Sequence, residues 1–112
     1  MSGPATIATT PEPPYYAVIF TSLRTPGDDG YGATADRMVE IAQTMPGYLG
    51  VESVRDGLGI TVCYWQTLEH IAAWKAQTEH DLAQKMGREK WYQAYHLRIA
   101  KVERDYGFAK PE

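Results

Sequence analysis

The chain has 112 residues, with eleven basic and fourteen acidic side chains, a net charge of −3, and 44% apolar against 22% charged residues. That length supports one domain, and the charge has the wrong sign for a surface that holds nucleic acid by bulk electrostatics. The lone Cys63 excludes an internal disulfide and a cysteine-based zinc cage.

Residues 1–14 are rich in Thr and Pro and offer almost no large apolar anchor, so a disordered tail is expected there. The segment has neither a basic n-region nor an apolar h-region, and no run approaches the length of a membrane span. A cytoplasmic protein is the expectation. Tyr15 to Arg24 is aromatic and β-branched and stops at Thr25-Pro26-Gly27-Asp28-Asp29-Gly30, which reads as a strand and a loop. Tyr31, Ala35, Met38, Val39, Ala42 and Met45 then fall at helical spacing until Pro46-Gly47. Leu49 to Asp56 and Ile60 to Gln66 read as a hairpin around Gly57-Leu58-Gly59. Thr67 is a suitable N-cap for a helix carrying Leu68, Ile71, Ala72 and Trp74. A further helical stretch runs from about Thr78 to Lys90, weakened at Gly87, and Tyr92 to Arg104 alternates as a last strand.

The order βαββαβ predicts an α+β, ferredoxin-like fold with an antiparallel four-stranded sheet and the helices on one face. Strands one and three are expected at the centre. Their charge pattern agrees, since the charged residues concentrate on strands two and four. Strand one, however, is apolar on both sides: Ala17, Ile19 and Leu23 alternate with Tyr16, Val18 and Phe20. Strand three repeats this with Ile60, Val62 and Tyr64 against Cys63 and Trp65. Helices can cover only one face, so the other is expected to pair with a second copy in a homodimer.

Three histidines, His70, His80 and His96, show no metal-ligating spacing, and no metal site is expected. His70 and Trp74 share a helix face, His80 opens the second helical stretch, and His96 alternates with Arg98 on the last strand. His80 or His96 could serve as a base and Arg98 could stabilise an anion, if these side chains line a cavity. Trp74 and Trp91 are expected to be buried, and Tyr64, Trp65, Tyr92 and Tyr95 extend the aromatic cluster. Such a cluster serves a core or an apolar pocket for a small aromatic molecule. Cys63, mid-strand among apolar residues, reads as inert filler. Phosphate-cradling loops, a serine-hydrolase elbow and RNA-binding aromatics are missing.

Pro46-Gly47-Tyr48-Leu49-Gly50-Val51, Tyr64-Trp65, and Ile71, Trp74 and Lys75 together resemble the antibiotic biosynthesis monooxygenase-like (ABM) family. Gly87-Arg88-Glu89-Lys90-Trp91-Tyr92, Arg98-Ile99 and Val102-Glu103-Arg104 fit the same resemblance, which spans residues 15–108 and leaves 109–112 as a tail. The resemblance implies a dimeric α+β barrel and a monooxygenase that needs no metal or flavin, acting on a small aromatic or quinol-like compound. Trp74 would be the pocket tryptophan, with Tyr64, Trp91 and Tyr95 shaping the cavity. The alternatives are a non-catalytic dimeric module for a small apolar ligand and a haem-degrading relative. For the haem branch, the strand-one asparagine and the later histidine are replaced here by Thr21-Ser22 and Gln84.

Overall fold

The computed structural model describes residues 6–111, apart from the Thr78 side chain. Its elements are β1 (Tyr15–Arg24), α1 (Tyr31–Thr44), β2 (Tyr48–Asp56), β3 (Leu58–Trp65), α2 (Leu68–Ala76), α3 (Thr78–Met86) and β4 (Tyr92–Val102). The strands form one antiparallel sheet in the order β2-β3-β1-β4, so β1 and β3 are central as expected. No helix among the described residues is long and apolar enough to cross a membrane.

Local chemistry sets the boundaries. Asp28 caps α1 with its carboxylate, which accepts from the backbone N–H groups of Gly30 and Gly32 at 3.0 and 3.1 Å. The Thr67 hydroxyl accepts from the His70 N–H at 3.1 Å and starts α2. The β2–β3 turn is tighter than the sequence suggested. Asp56 pairs directly with Leu58, because Gly57 alone turns the chain at φ 77°. The expected helix to Lys90 ends instead at Met86, and Gly87–Trp91 widens into a π-helical turn. Its cause lies at Gly87: a Cβ there would stand 2.9 Å from the Tyr92 ring, so the chain is pressed against that ring before β4 begins.

Register assigns the two sheet faces. Tyr16, Val18, Phe20 and Ser22 of β1 share a face with Trp65, Cys63, Thr61 and Gly59 of β3, and with Lys101, Ile99, Leu97 and Tyr95 of β4. The helices pack on this side. Ala42 of α1 and Ile71 of α2 bury Trp65 completely, with Tyr16, Val18, Met45, Tyr48, Cys63 and Trp74 around it. Trp65 stacks on Trp74 at 5.9 Å between ring centroids and meets Tyr48 edge-on at 5.7 Å.

The opposite face carries Leu23, Leu58, Ile60 and Val54, all exposed in the single chain. Residues 6–14 form no helix or strand, yet they touch one end of this face. The Ala8 N–H donates to the Glu52 carboxylate at 3.0 Å, and the Thr10 hydroxyl donates to the Tyr15 hydroxyl at 3.0 Å. Tyr15 in turn donates to the Asp105 carboxylate.

Candidate functional site

The helix-side core ends at the Val18–Cys63 row. One row further, Phe20, Thr61 and Leu97 lie side by side, and beyond them Ser22, Gly59 and Tyr95. Here the chemistry changes from apolar to mixed. The Ser53 and Thr61 hydroxyls pair at 2.8 Å, and Arg55 reaches across Gly59 to donate to the Ser22 hydroxyl at 2.6 Å. Tyr95, Leu97 and Ile99 are 41%, 46% and 50% exposed although they face the helix side. Helix α3 packs chiefly on α1, α2 and the Gly87–Trp91 turn, which leaves this strip of β4 uncovered. An apolar floor with a few hydroxyls and one cation is the composition of a ligand site rather than of a core.

His80 and Trp74 stand at the Trp65 end of the same side. The His80 ring lies flat on Trp74, with centroids 4.0 Å apart and 12° between planes. Its Nδ1 is 2.9 Å from the Trp74 carbonyl oxygen. A carbonyl only accepts, so Nδ1 carries the proton and Nε2 is left as the bare, basic nitrogen. Burial pushes the imidazole below its usual pKa of 6.5, against the weaker pull of that carbonyl and of Asp81. The Gln77 side chain fixes the first turn of α3 by accepting from the His80 N–H at 2.9 Å. The ring is therefore neutral at pH 7, held in one tautomer, and oriented by three contacts.

The other nominated residues separate into two groups. Trp91 is buried as expected. Its indole N–H donates to the Asp29 carbonyl at 2.9 Å, and Tyr31 meets it edge-on at 5.8 Å, so it braces the α1 entrance. Tyr95 packs on Phe20 and Tyr92, with centroids 5.2 and 5.8 Å away, on the helix-side strip. Tyr64 belongs to the opposite face. Its hydroxyl donates to Glu52 at 2.6 Å, and both burial and that carboxylate push its pKa up. His96 and Arg98 share that opposite face through their pairing with Thr21 and Ile19, so they stand across the sheet from His80. Burial pushes the Cys63 thiol up to about 12, which disfavours the reactive thiolate.

Two shallow clefts lie elsewhere. One, of about 420 Å³, is bounded by Thr6, Ile7, Glu52 and Ile60 on the face away from the helices. The second, of about 480 Å³, runs between α1 and α3 past Met38, Leu82, Met86 and Trp91. Neither contains a histidine; their titratable groups include Glu52 in the first and Asp29 and Glu79 in the second.

Sequence reading missed Trp65 as the centre of the core, and it missed Arg55, Ser53 and Thr61 as polar groups beneath the helices. Gly59 carried the signal. A Cβ there would come within 2.3 Å of the Arg55 guanidinium, so the glycine clears the path of that side chain. The positions implied for haem ligation do not fit that group. Ser22 is buried and holds Arg55, while the Gln84 amide donates to the Lys75 carbonyl at 3.1 Å.

No family model matches the chain. It is 55% identical over 100 residues to the uncharacterized protein YqjZ of Bacillus subtilis, covering 88% of each chain. Among solved structures it is similar to SnoaB, a cofactor-independent oxygenase from Streptomyces nogalater. That match has a TM-score of 0.70 at 8% identity over 81% of this chain and 95% of SnoaB. A Nitrosomonas europaea protein assigned to the antibiotic biosynthesis monooxygenases superimposes with a TM-score of 0.67 at 11% identity, over 84% of this chain and 94% of its own. The chain therefore belongs to the family of YqjZ, and its fold is that of the ABM-like proteins.

Proposed function

We propose that the protein is a cofactor-independent monooxygenase of a small aromatic or quinol-like compound, acting at the helix-side strip. The observation that carries this reading is the neutral, single-tautomer His80 stacked on Trp74, on the same side of the sheet as the uncovered apolar strip of β4. A base with its pKa near or below the working pH accepts a proton without first losing one. The bare Nε2 takes the acidic proton of an activated phenol and leaves a carbanion delocalised over the ring. That carbanion gives one electron to O2, and the radical pair combines into a carbon-bound peroxide. Cleavage of the O–O bond, with return of the proton, leaves a ring carbonyl and water. The substrate is thus the only reductant. One oxygen atom enters the product and the other leaves as water. The stacked Trp74 ring shields one face of the His80 imidazole from bulk water.

Oxygen uptake across a panel of anthrone-like phenols tests the reading. Wild-type protein is expected to consume O2 in proportion to product, and Trp74→Ala to lose most of the rate. Identical behaviour of the two proteins would leave a binding module as the better description. His80 also fixes the pH dependence. Its folded pKa lies below 6.5, so the active form is complete above that value and is lost as pH falls through the folded pKa. The acidic limb of kcat/KM should accordingly fall below pH 6.5, whereas a limb above it would exclude His80 as the base.

Two copies are proposed to meet through the face that bears Leu23, Val54, Leu58 and Ile60. Exposed apolar side chains on adjacent strands support this, because such a patch is costly to leave in water. Sedimentation at micromolar concentration is expected to give twice the 12.6 kDa chain mass, and a monomer would refute the pairing.

A further inference from the structure

Arg55 is an unusual residue for the underside of a helical layer. It is half-buried, and its guanidinium lies over Gly59 instead of turning out to solvent. Its hydrogen bonds go to the Ser22 hydroxyl at 2.6 Å, the Ser22 carbonyl at 3.2 Å and the Gly57 carbonyl at 3.4 Å. These are neutral acceptors. Among the described residues the ion pairs involve Arg37 and Lys85, and no carboxylate comes within ion-pair distance of Arg55. Withdrawing a charge from water without an opposite charge is unfavourable, so a half-buried and unneutralised guanidinium is poised to take an anion.

Its surroundings specify what kind of anion. Ser22 pairs with Tyr95 across β4, and Phe20, in contact with Tyr95 and Tyr92, forms the neighbouring row. The Ser53 and Thr61 hydroxyls stand in that same row on the β3 side. The Tyr92 and Tyr31 hydroxyls meet at 3.4 Å, and Arg24 lies over the Tyr31 ring at 3.6 Å. Arg24 likewise donates to neutral carbonyls, those of Trp91 at 2.8 Å, Gly27 at 3.0 Å and Asp28 at 3.5 Å, but one face of its guanidinium is taken up by the Tyr31 ring. Arg55 stands in the Gly59–Ser22–Tyr95 row and is therefore the cation aligned with the aromatic floor.

We propose that Arg55 is the anion-binding end of the helix-side site and selects aromatic ligands that carry a carboxylate or phenolate. The inference rests on the reading that the strip takes an aromatic compound, but it does not depend on oxygenation. A planar guanidinium matches a carboxylate with two parallel hydrogen bonds, which a neutral phenol cannot reproduce. The aromatic body would lie on Phe20, Tyr95 and Leu97. Arg55 is thus a specificity-determining residue, on the opposite side of the sheet from Arg98.

Calorimetric titration with naphthol and with its ring carboxylate, hydroxynaphthoate, tests this. The wild type is expected to bind hydroxynaphthoate at least about tenfold more tightly than naphthol, since a hydrogen bond to a charged group contributes that much. Raising salt should narrow the gap. Arg55→Gln should bring the ratio close to one by weakening hydroxynaphthoate binding far more than naphthol binding, a separation that a merely structural brace would not produce. Arg55→Lys, which keeps the charge and loses the fork, should give an intermediate ratio. It also preserves the test if the glutamine variant fails to fold. Equal wild-type affinities, no binding of either compound, or a preference that survives in both variants would overturn the proposal. Selective binding without oxygen uptake would uphold it and remove the oxygenase reading instead.

Discussion

His80→Ala is expected to lower kcat for phenol oxygenation by roughly 10²–10⁴-fold, the usual contribution of a positioned base. The loss should fall on kcat more than on KM, because Trp74 and the β4 floor stay in place to hold the substrate. Trp74→Ala makes the informative contrast. It removes the ring on which His80 stacks but keeps the backbone carbonyl that accepts from Nδ1, so the tautomer survives while the wall of the site is lost. The two variants should therefore differ. Loss of the base flattens the acidic limb of the pH profile, whereas loss of the indole lowers the rate and keeps the limb, moved to higher pH because the imidazole is less buried. Parallel pH–rate profiles of both variants measure this directly. An unchanged rate in His80→Ala would assign the proton transfer to another group.

Trp65→Ala is expected to be the most damaging single change to stability, at roughly 3–5 kcal/mol. The side chain is fully buried and touches the rings of Tyr48 and Trp74. Its removal opens a cavity beneath both α1 and α2. Thermal denaturation should show Tm falling by roughly 10–25 °C. Trp65→Phe should recover most of that loss. The buried indole N–H of Trp65 makes no well-formed hydrogen bond among the described residues, and the Cys63 sulfur beside it is at most a weak acceptor, so the cost is chiefly lost packing. A small effect of the alanine change would mean that the layer can collapse around the void.

The two variants show where the sequence was informative. Strand identity and order were legible because β1 and β3 are aromatic, β-branched and nearly free of charge, and glycine or proline closes β1, α1 and β2. The break between α2 and α3 was also legible from the amphipathic restart at Thr78. Identifying Trp65 as the core tryptophan was harder. Three tryptophans have the same apolar character, and only the pairing of Tyr16 with Trp65 and the descent of Ala42 and Ile71 decide which is enclosed. The site divided for a similar reason. His80, His96 and Arg98 look equivalent as a list, but one residue of register along β4 sends His96 and Arg98 to the face opposite His80. Arg55 looked like an edge-strand charge, as such residues usually are. Its turn inward depends on a missing Cβ two strand positions beyond the hairpin, which no local pattern reveals.

The proposed oxygen chemistry asks for a base alone, and the geometry around His80 gives that base its properties. Neutrality of His80 comes from burial, its tautomer from the Trp74 carbonyl, and its orientation from a helix start that Gln77 fixes. The tautomer and the helix start depend on a backbone carbonyl and on Gln77, and only the stack on the Trp74 ring is shared with the wall that would hold the substrate. Rate and binding can therefore be perturbed independently, which makes the account open to direct trial.

Turnover of an anthrone-like phenol under isotopically heavy dioxygen, followed by mass spectrometry of the product, tests the central claim most directly. The expected result is one heavy oxygen atom per product molecule, with the other recovered in water, and no incorporation above background in His80→Ala. Product oxygen derived from solvent, or no product formed by the wild type, would contradict it.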